Sequence, residues 1–184
     1  ERLLGLDEVP TYVLGNHDQP RIATRFDEMR ARTLALLTLT LRGMPFIYYG
    51  EELGLKSVNI PDKKRKDLFA SDPLNKKASN GRDPARTPMQ WDDSRYAGFS
   101  EAEPWLPVSR DYKKKNVKTE SKDPRSMLSL YKHIIHFRNS SEILLVGTYR
   151  SLHTNSKHVY AYIREHNGEK LLMMLNFSKE KITE

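Results

Sequence analysis

The spacing of apolar residues along the first fifty positions predicts a strand, a helix and a second strand. Residues 11–15 form a short apolar run that is typical of a buried strand. Apolar positions in residues 26–43 then recur at helical spacing, and this helix is expected to end at Gly43, just before Pro45. Residues 46–50 form a compact aromatic and β-branched run, which favours a strand. The order predicts a βαβ unit.

A second helix and an antiparallel module are predicted in the C-terminal third. The helix is expected to have Asp123 as its N-cap and Pro124 at its first position, and to run to about Asn139. Beyond it the pattern indicates three short strands, at residues 144–152, 158–165 and 169–178. An Asn-Gly pair between the last two strands indicates a hairpin turn.

Residues 51–122 hold most of the prolines of the chain and show little periodicity. This segment contains large apolar and aromatic side chains that need burial, namely Met89, Trp91, Tyr96, Phe99 and Trp105. We therefore predict a long ordered excursion rather than a linker, and such excursions are often functional.

The composition excludes several classes of function. The chain has 184 residues and no cysteine, so it forms neither a disulfide nor a thiolate metal site. Its formal net charge is +7, but the lysines cluster at residues 62–66 and 112–116, without the aromatic platforms of a nucleic-acid groove. No apolar run is long enough to span a membrane. We expect no nucleic-acid partner and no membrane partner.

Polar side chains follow the first predicted strand directly. Asn16, His17 and Asp18 lie just beyond its end, in the stretch VLGNHDQPR. Parallel α/β folds place their chemistry beyond the carboxyl ends of their strands, so this stretch is a candidate site. These residues alone equally allow an aspartate-capped turn with a histidine bonded to a carbonyl group.

Three segments together indicate a family. They are GNHDQPR at residues 15–21, GMPFIYYGEELGL at 43–55 and GRDPARTPMQWDDSRYAGFSEAEPWLPV at 81–108. Asn-His-Asp alone is a weak motif, but the three segments in this order closely resemble the α-glucosidase branch of the α-amylase superfamily of glycoside hydrolases. The resemblance extends from about Pro10 to Phe177, which is nearly the whole chain.

The resemblance implies an α/β fold, a (β/α)8 TIM barrel followed by an antiparallel all-β domain. Residues 11–15 would be the seventh barrel strand and residues 46–50 the eighth. Residues 1–142 would then be the C-terminal part of the catalytic barrel, and residues 143–184 a truncated β domain. A closed barrel needs roughly 250 residues. The N-terminal part of the same barrel is therefore the expected macromolecular partner of this chain.

The resemblance also implies a chemistry, retaining hydrolysis of α-glucosidic bonds at the non-reducing end of short gluco-oligosaccharides or glucosides. Such hydrolysis uses a nucleophile and an acid/base. In the family these carboxylates follow the fourth and fifth barrel strands, and no acidic residue here lies in a matching motif, so the chain alone is expected to be inactive. Asp18 matches the third essential carboxylate, which accepts hydrogen bonds from sugar hydroxyls and stabilises the transition state. His17 is the implied neighbouring donor.

Arg82 and Arg86 are rival candidates for a contact with the terminal glucose, and the resemblance favours Arg82. A guanidinium group suits vicinal hydroxyls or a carboxylate. Arg21 is less certain, and we expect it to pair with an acidic neighbour such as Asp27 or Glu28.

Other residues of the three segments have supporting interpretations. The resemblance implies that Glu51 and Glu52 are architectural or lie behind the substrate-binding residues, and that neither is catalytic. Met89, Trp91 and Phe99 either line the sugar entrance or anchor the excursion. The remaining histidines show no metal-ligand spacing, so we expect neither a metal nor a cofactor.

Two alternatives to hydrolysis stay open. One is a transglucosylase or sucrose-isomerase type of relative, and the other is a non-enzymatic ectodomain like the heavy chain of amino-acid transporters. The intact residues 16–18 favour an enzyme, and an Asp after strand four with a Glu after strand five of the missing part would decide the matter. The resemblance is to intracellular α-glucosidases, so we expect a cytoplasmic location.

Overall fold

The computed structural model describes residues 8–67 and 81–184 of the chain. The first elements in chain order are β1 (Thr11–Val13), α1 (Ile22–Arg25), α2 (Glu28–Thr40) and β2 (Met44–Phe46). The later helices are α3 (Val117–Glu120), α4 (Met127–Asn139) and α5 (Glu142–Leu145), and the later strands are β3 (Thr148–Leu152), β4 (Val159–His166) and β5 (Glu169–Asn176). Within these two described ranges, no helix combines the length and apolar character needed to cross a membrane.

The predicted order of strand, helix and strand is confirmed, and β1 and β2 pair in parallel. The predicted position of the second strand at residues 46–50 is wrong, because β2 spans Met44–Phe46. The backbone N–H of Met44 donates to the Pro10 carbonyl at 2.9 Å, and this bond begins the pairing immediately after Gly43. Gly50 then adopts a φ of 84°, so the chain turns where the strand was predicted to end.

Both long helices are shorter than their predicted spans. α2 begins at Glu28 rather than at residue 26, because Asp27 has a φ of 51° and interrupts the helical backbone. It ends at Thr40, three residues before the predicted end at Gly43.

The predicted N-cap of the second helix is also wrong, although its end at Asn139 is confirmed. α4 starts at Met127, and the Ser126 hydroxyl accepts a hydrogen bond from the Ser129 N–H at 3.1 Å, which is the contact of an N-cap. The Asp123 carboxylate instead accepts from the Arg125 N–H at 2.8 Å and closes a turn that precedes the helix.

The C-terminal strands form the antiparallel sheet β3-β4-β5. The predicted hairpin is confirmed, because Asn167 and Gly168 join β4 to β5 with φ values of 49° and 81°. The first of the three strands is shorter than predicted. Residues 142–145 form the helix α5, whose N-cap Ser141 accepts from the Leu144 N–H.

Two compact units make up the chain. The first contains the described parts of Glu1–Val13 together with Met29–Phe46 and Tyr131–Glu184, and the second contains Leu14–Glu28 and Ile47–Leu130. The first unit thus contains both the β1-β2 pair and the antiparallel sheet. The predicted division into residues 1–142 and 143–184 refers to the domains of a complete barrel protein, and it stays a prediction.

Buried arginines hold the first unit together at the end of α2. Arg164, on β4, is fully buried and donates to the carbonyl groups of Thr40, Gly147 and Thr148 at 2.8–3.1 Å. Arg138, on α4, donates in the same way to three carbonyl groups, those of Leu39, Leu41 and Gly43. The last carbonyl groups of a helix lack partners within the helix, so these two guanidinium groups satisfy them from other elements.

The second unit orders the predicted excursion. Leu53, Leu55 and Leu128 form its apolar cluster, with Met89 and Val117 packed against them. The backbone N–H of Val117 donates to Gln90 O at 3.0 Å, and that of Lys118 donates to Trp91 O at 2.9 Å. The excursion is therefore ordered, as predicted, wherever it is described.

Replacing Arg164 with Met is expected to lower the free energy of unfolding by about 3 kcal/mol, because three carbonyl groups, two of them in buried hydrogen bonds, lose a charged donor. Thermal melting of the complete protein measures the effect. The control is Arg150→Met on the exposed side of β3, which should leave the melting temperature almost unchanged. Equal melting temperatures for the two variants would contradict this account of the first unit.

Candidate active site

The candidate site begins in a tight turn of the second unit. The Asp18 N–H donates to the Asn16 side-chain oxygen at 2.9 Å, so Asn16 closes an Asx turn that presents the next two side chains. The side chains of His17 and Asp18 are 62% and 48% exposed. Both are therefore accessible to a ligand.

Asp18 lies among cationic and imidazole groups. Its Oδ1 is 3.3 Å from Arg82 Nη1 and 3.1 Å from Arg86 Nη2, while its Oδ2 is 3.4 Å from His17 Nε2. The structure thus brings together all four predicted site residues. Two guanidinium groups therefore share one carboxylate oxygen of Asp18 and leave its other oxygen beside the histidine.

Arg82 is fixed by a second, buried carboxylate. Asp67 has a side chain that is 0% exposed, and its two oxygens accept from Arg82 Nη2 at 2.8 Å and from Arg82 Nε at 3.1 Å. The Arg82 backbone N–H also donates to Asp67 at 2.5 Å. The hydrogen bond to Asp67 is the main reason why the pKa of Arg82 is raised. Most of the fork of Arg82 therefore serves Asp67, and one nitrogen reaches Asp18.

Arg86 has more of its guanidinium group available. Its Nε donates to the His17 carbonyl at 3.0 Å and its Nη2 donates to Asp18 at 3.1 Å. Arg86 thus contacts the turn at two points. Unlike Arg82, it makes neither of these contacts with a buried carboxylate. The sequence favours Arg82 for a ligand contact, and the geometry favours Arg86.

Arg21 does not form the ion pair expected from the sequence. Its side chain is 2% exposed, its Nη1 donates to Tyr49 O at 2.6 Å, and its guanidinium carbon lies 4.7 Å from the centre of the Tyr49 ring. Glu28, one of the two expected partners, lies 3.3 Å from Lys115 Nζ instead. Arg21 belongs to the interior because a cation can rest on an aromatic face.

Glu51 is a buried carboxyl group beside this turn, and the next residue, Glu52, is partly buried. Burial raises the pKa of Glu51 to about 7, with Glu52 adding repulsion and Arg21 and Arg25 opposing the shift. Burial also raises the pKa of Glu52. In the described part of the chain, Glu51 Oε1 has no hydrogen-bond partner.

An aromatic cavity of about 330 Å³ adjoins Arg86. The residues that line it include Tyr49, Met89, Trp91, Phe99 and Trp105. The expected burial is wrong for three of these aromatic residues, since Trp91 is 51%, Phe99 47% and Trp105 70% exposed. Sequence reasoning named Met89, Trp91 and Phe99 for a sugar entrance and missed Trp105, whose position in a proline-flanked segment gave no periodic signal.

Across the described residues, no cluster of three or more His, Asp or Glu side chains is placed to hold a metal ion.

Comparison with known proteins identifies the family. The family described as "Alpha amylase, catalytic domain" matches residues 5–147. The chain belongs to this α-amylase family of glycoside hydrolases, whose fold and motifs account for the βαβ order and for the Asn-His-Asp turn.

Relatives of this chain in the family are named for several different enzyme activities. The chain is 38% identical to an oligo-1,6-glucosidase of Parageobacillus thermoglucosidasius, over 91% of this chain and 34% of that protein. Trehalose-6-phosphate hydrolase of Bacillus licheniformis superposes with a TM-score of 0.81 and 32% identity, covering 91% of this chain and 34% of that one. Trehalulose synthase of Pseudomonas mesoacidophila MX-45 gives a TM-score of 0.81 and 37% identity, with coverage of 92% and 35%. The chain spans about a third of the length of these relatives.

We expect stability to depend on pH through Glu51. Its pKa is about 7 in the folded protein and 4.5 as a free group, so the folded state binds the additional proton between these values. Stability therefore falls as pH rises from about 4.5 to 7, by up to roughly 3 kcal/mol, and then levels off. Glu51→Gln should remove this loss.

Thermal melts of wild type and Glu51→Gln at pH 5 and pH 8 measure the difference. The wild type should lose more melting temperature than the variant between the two pH values. An equal loss in both proteins would show that Glu51 does not titrate in this range.

Proposed function

We propose that this chain is the C-terminal part of an α-glucosidase that hydrolyses α-glucosidic bonds at the non-reducing end of short gluco-oligosaccharides or glucosides with retention. The observation that carries the proposal is the exposed Asp18 carboxylate, held between Arg82, Arg86 and His17 in a chain of the α-amylase family. The oligo-1,6-glucosidase at 38% identity supports the same class of substrate.

Asp18 acts by binding the transition state more tightly than the substrate. Its Oδ2 faces His17 rather than the arginines and is the atom offered to sugar hydroxyls. As positive charge develops on the sugar ring, hydrogen bonds from the hydroxyls to a charged acceptor strengthen. Arg82 and Arg86 hold one oxygen of the Asp18 carboxylate in place, and His17 donates to a neighbouring hydroxyl.

The nucleophile and the acid/base of this reaction are assigned to the rest of the barrel, because no acidic residue of this chain lies in a matching motif. Exposed apolar side chains on the β1-β2 pair support the proposal that further strands of the barrel cover it. Val13, Met44 and Phe46 are each 51–56% exposed, although parallel sheets are normally covered on both faces. The remaining strands of the same barrel are the proposed occupant, since the relatives are about three times as long as this chain.

The second candidate is a synthase activity like that named for the trehalulose synthase, which superposes as well as the hydrolase does. Hydrolysis and transfer differ in whether water or another acceptor reaches the intermediate. Product analysis of the complete enzyme supplied with sucrose and with isomaltose separates the two.

Asp18→Asn in the complete enzyme is expected to lower kcat and kcat/KM together by roughly two to four orders of magnitude, because the amide lacks the charge that strengthens the transition-state bonds. The melting temperature should change little. Steady-state kinetics with an aryl α-glucoside, paired with thermal melts, measures both. His17→Ala should show a smaller loss of the same kind, and a nearly normal kcat for Asp18→Asn would place Asp18 in a turn-supporting role only.

Arg82→Ala and Arg86→Ala are expected to differ. Arg86→Ala should raise KM about tenfold without changing the melting temperature, because both hydrogen bonds of its side chain are with the exposed His17–Asp18 turn. Arg82→Ala should raise KM and also lower the melting temperature, because the buried Asp67 loses its guanidinium partner. Identical melting temperatures for the two variants would contradict the anchoring role of Asp67.

A further inference from the structure

Glu51 packs against the backbone of the turn that carries His17 and Asp18. A Cβ atom added at Gly15 would overlap Glu51 Oε1 and would lie 3.3 Å from Glu51 Cδ. The next nearest atom, Ile22 Cγ1, is at an ordinary distance of 3.6 Å. Gly15 does not have a positive φ, so a side chain at this position is opposed by the space that Glu51 occupies and not by backbone strain.

The other end of the same turn is fixed by Arg21. Its backbone N–H donates to the Ser57 hydroxyl at 3.0 Å, and its side chain donates to the Tyr49 carbonyl at 2.6 Å. The Arg21 Nη1 atom also lies 2.8 Å from where a Cβ on Gly50 would be, so Arg21 packs against that glycine, although less closely than Glu51 packs against Gly15. Residues 16–20 are therefore held between two buried charged side chains.

The electrostatic surroundings tie these two side chains to each other. Arg21 and Arg25 attract the Glu51 carboxyl group, Glu52 repels it, and a backbone hydrogen bond with Tyr48 stabilises its charged form. Glu51 is 9% exposed, so a displacement of its carboxyl group would have to move its neighbours as well.

We infer that Glu51 is a positioning residue for Asp18: its buried side chain occupies the space beside Gly15 and, with Arg21, fixes the turn from which His17 and Asp18 project. This inference rests on the proposed function and extends it to a residue that touches no substrate. Groups that bind a transition state must be held to within about 0.5 Å by the side chains behind them. A misplacement of about 1 Å costs roughly a hundredfold in rate.

Glu120 provides a matched control in the same compact unit. It is 8% exposed, and burial raises its pKa as it does that of Glu51. Its carboxylate accepts from the Leu128 N–H at 3.1 Å and lies 3.9 Å from Lys115 Nζ, so its contacts are with α4 and the excursion. Truncation of Glu120 removes a buried carboxyl group without touching the turn.

The test compares Glu51→Ala, Glu51→Gln, Gly15→Ala, the double variant Gly15→Ala/Glu51→Ala and Glu120→Ala in the complete enzyme. We expect Glu51→Ala to lower kcat roughly tenfold to a hundredfold with KM changed less than about threefold. Glu51→Gln keeps the shape of the side chain and should retain kcat within about threefold below pH 7. Glu120→Ala should lower the melting temperature and leave kcat and KM unchanged.

The double variant tests the contact itself. Gly15→Ala should lower kcat at least as much as Glu51→Ala, and the double variant should be no worse than Glu51→Ala alone, because the overlap has been removed. The inference would be overturned if the losses in kcat of Gly15→Ala and Glu51→Ala added up in the double variant. It would also be overturned if Glu51→Ala had the same kcat as Glu120→Ala. Either result would leave the proposed function intact. A wild-type enzyme that releases no glucose from any α-glucoside would overturn both.

Discussion

The ion pairs of Asp18 with Arg82 and Arg86 are the contacts on which the candidate site depends. An exposed ion pair contributes little by itself, because water competes for both charges. Arg82 gains its fixed position from Asp67, whose side chain is fully buried. Asp67 is in turn held by its own backbone N–H, which donates to the buried Asp83 carboxylate at 2.9 Å. The position of Asp18 therefore depends, through Arg82, on two buried carboxylates, those of Asp67 and Asp83.

Buried arginine and glutamate side chains fix the backbone in both compact units. In the first unit, Arg138 and Arg164 satisfy backbone carbonyl groups at and beyond the end of α2. In the second, Arg21 rests on Tyr48 and Tyr49, while Glu51 lies against Gly15. Charges placed in this way have few alternative partners, so each one restricts the backbone beside it to a narrow set of positions. A protein that must hold a carboxylate still during a reaction benefits from that restriction.

Much of this organisation was predictable from the sequence, because periodic patterns and motifs depend on local neighbours. The βαβ order, the Asn-Gly hairpin and the end of α4 at Asn139 followed from apolar spacing and turn chemistry. The four site residues followed from the resemblance of the three segments to a family. The shifts of β2 and of both helix starts could not be predicted, because they depend on positive-φ residues and on side-chain caps.

The other features that the sequence did not predict are contacts between residues that lie far apart along the chain. Nothing in the sequence pairs Asp67 with Arg82 across fifteen positions, or places Arg21 on Tyr49 rather than beside Asp27 or Glu28. Glu51 and Gly15 are thirty-six positions apart, so the local sequence pattern does not predict that they pack together. All three contacts join residues that are distant in the sequence, so they exist only in the folded chain.

The most direct test of the central claim is a crystal structure of the complete enzyme with glucose bound in its pocket. The account predicts that Asp18 Oδ2 accepts a hydrogen bond from a ring hydroxyl at 2.5–3.0 Å, the usual range for such bonds. His17 should donate to a neighbouring hydroxyl, and the Asp67–Arg82 pair should stay in place. Glucose bound in the pocket with no hydroxyl near Asp18, and with Asp18 still engaged only by the two arginines, would contradict it.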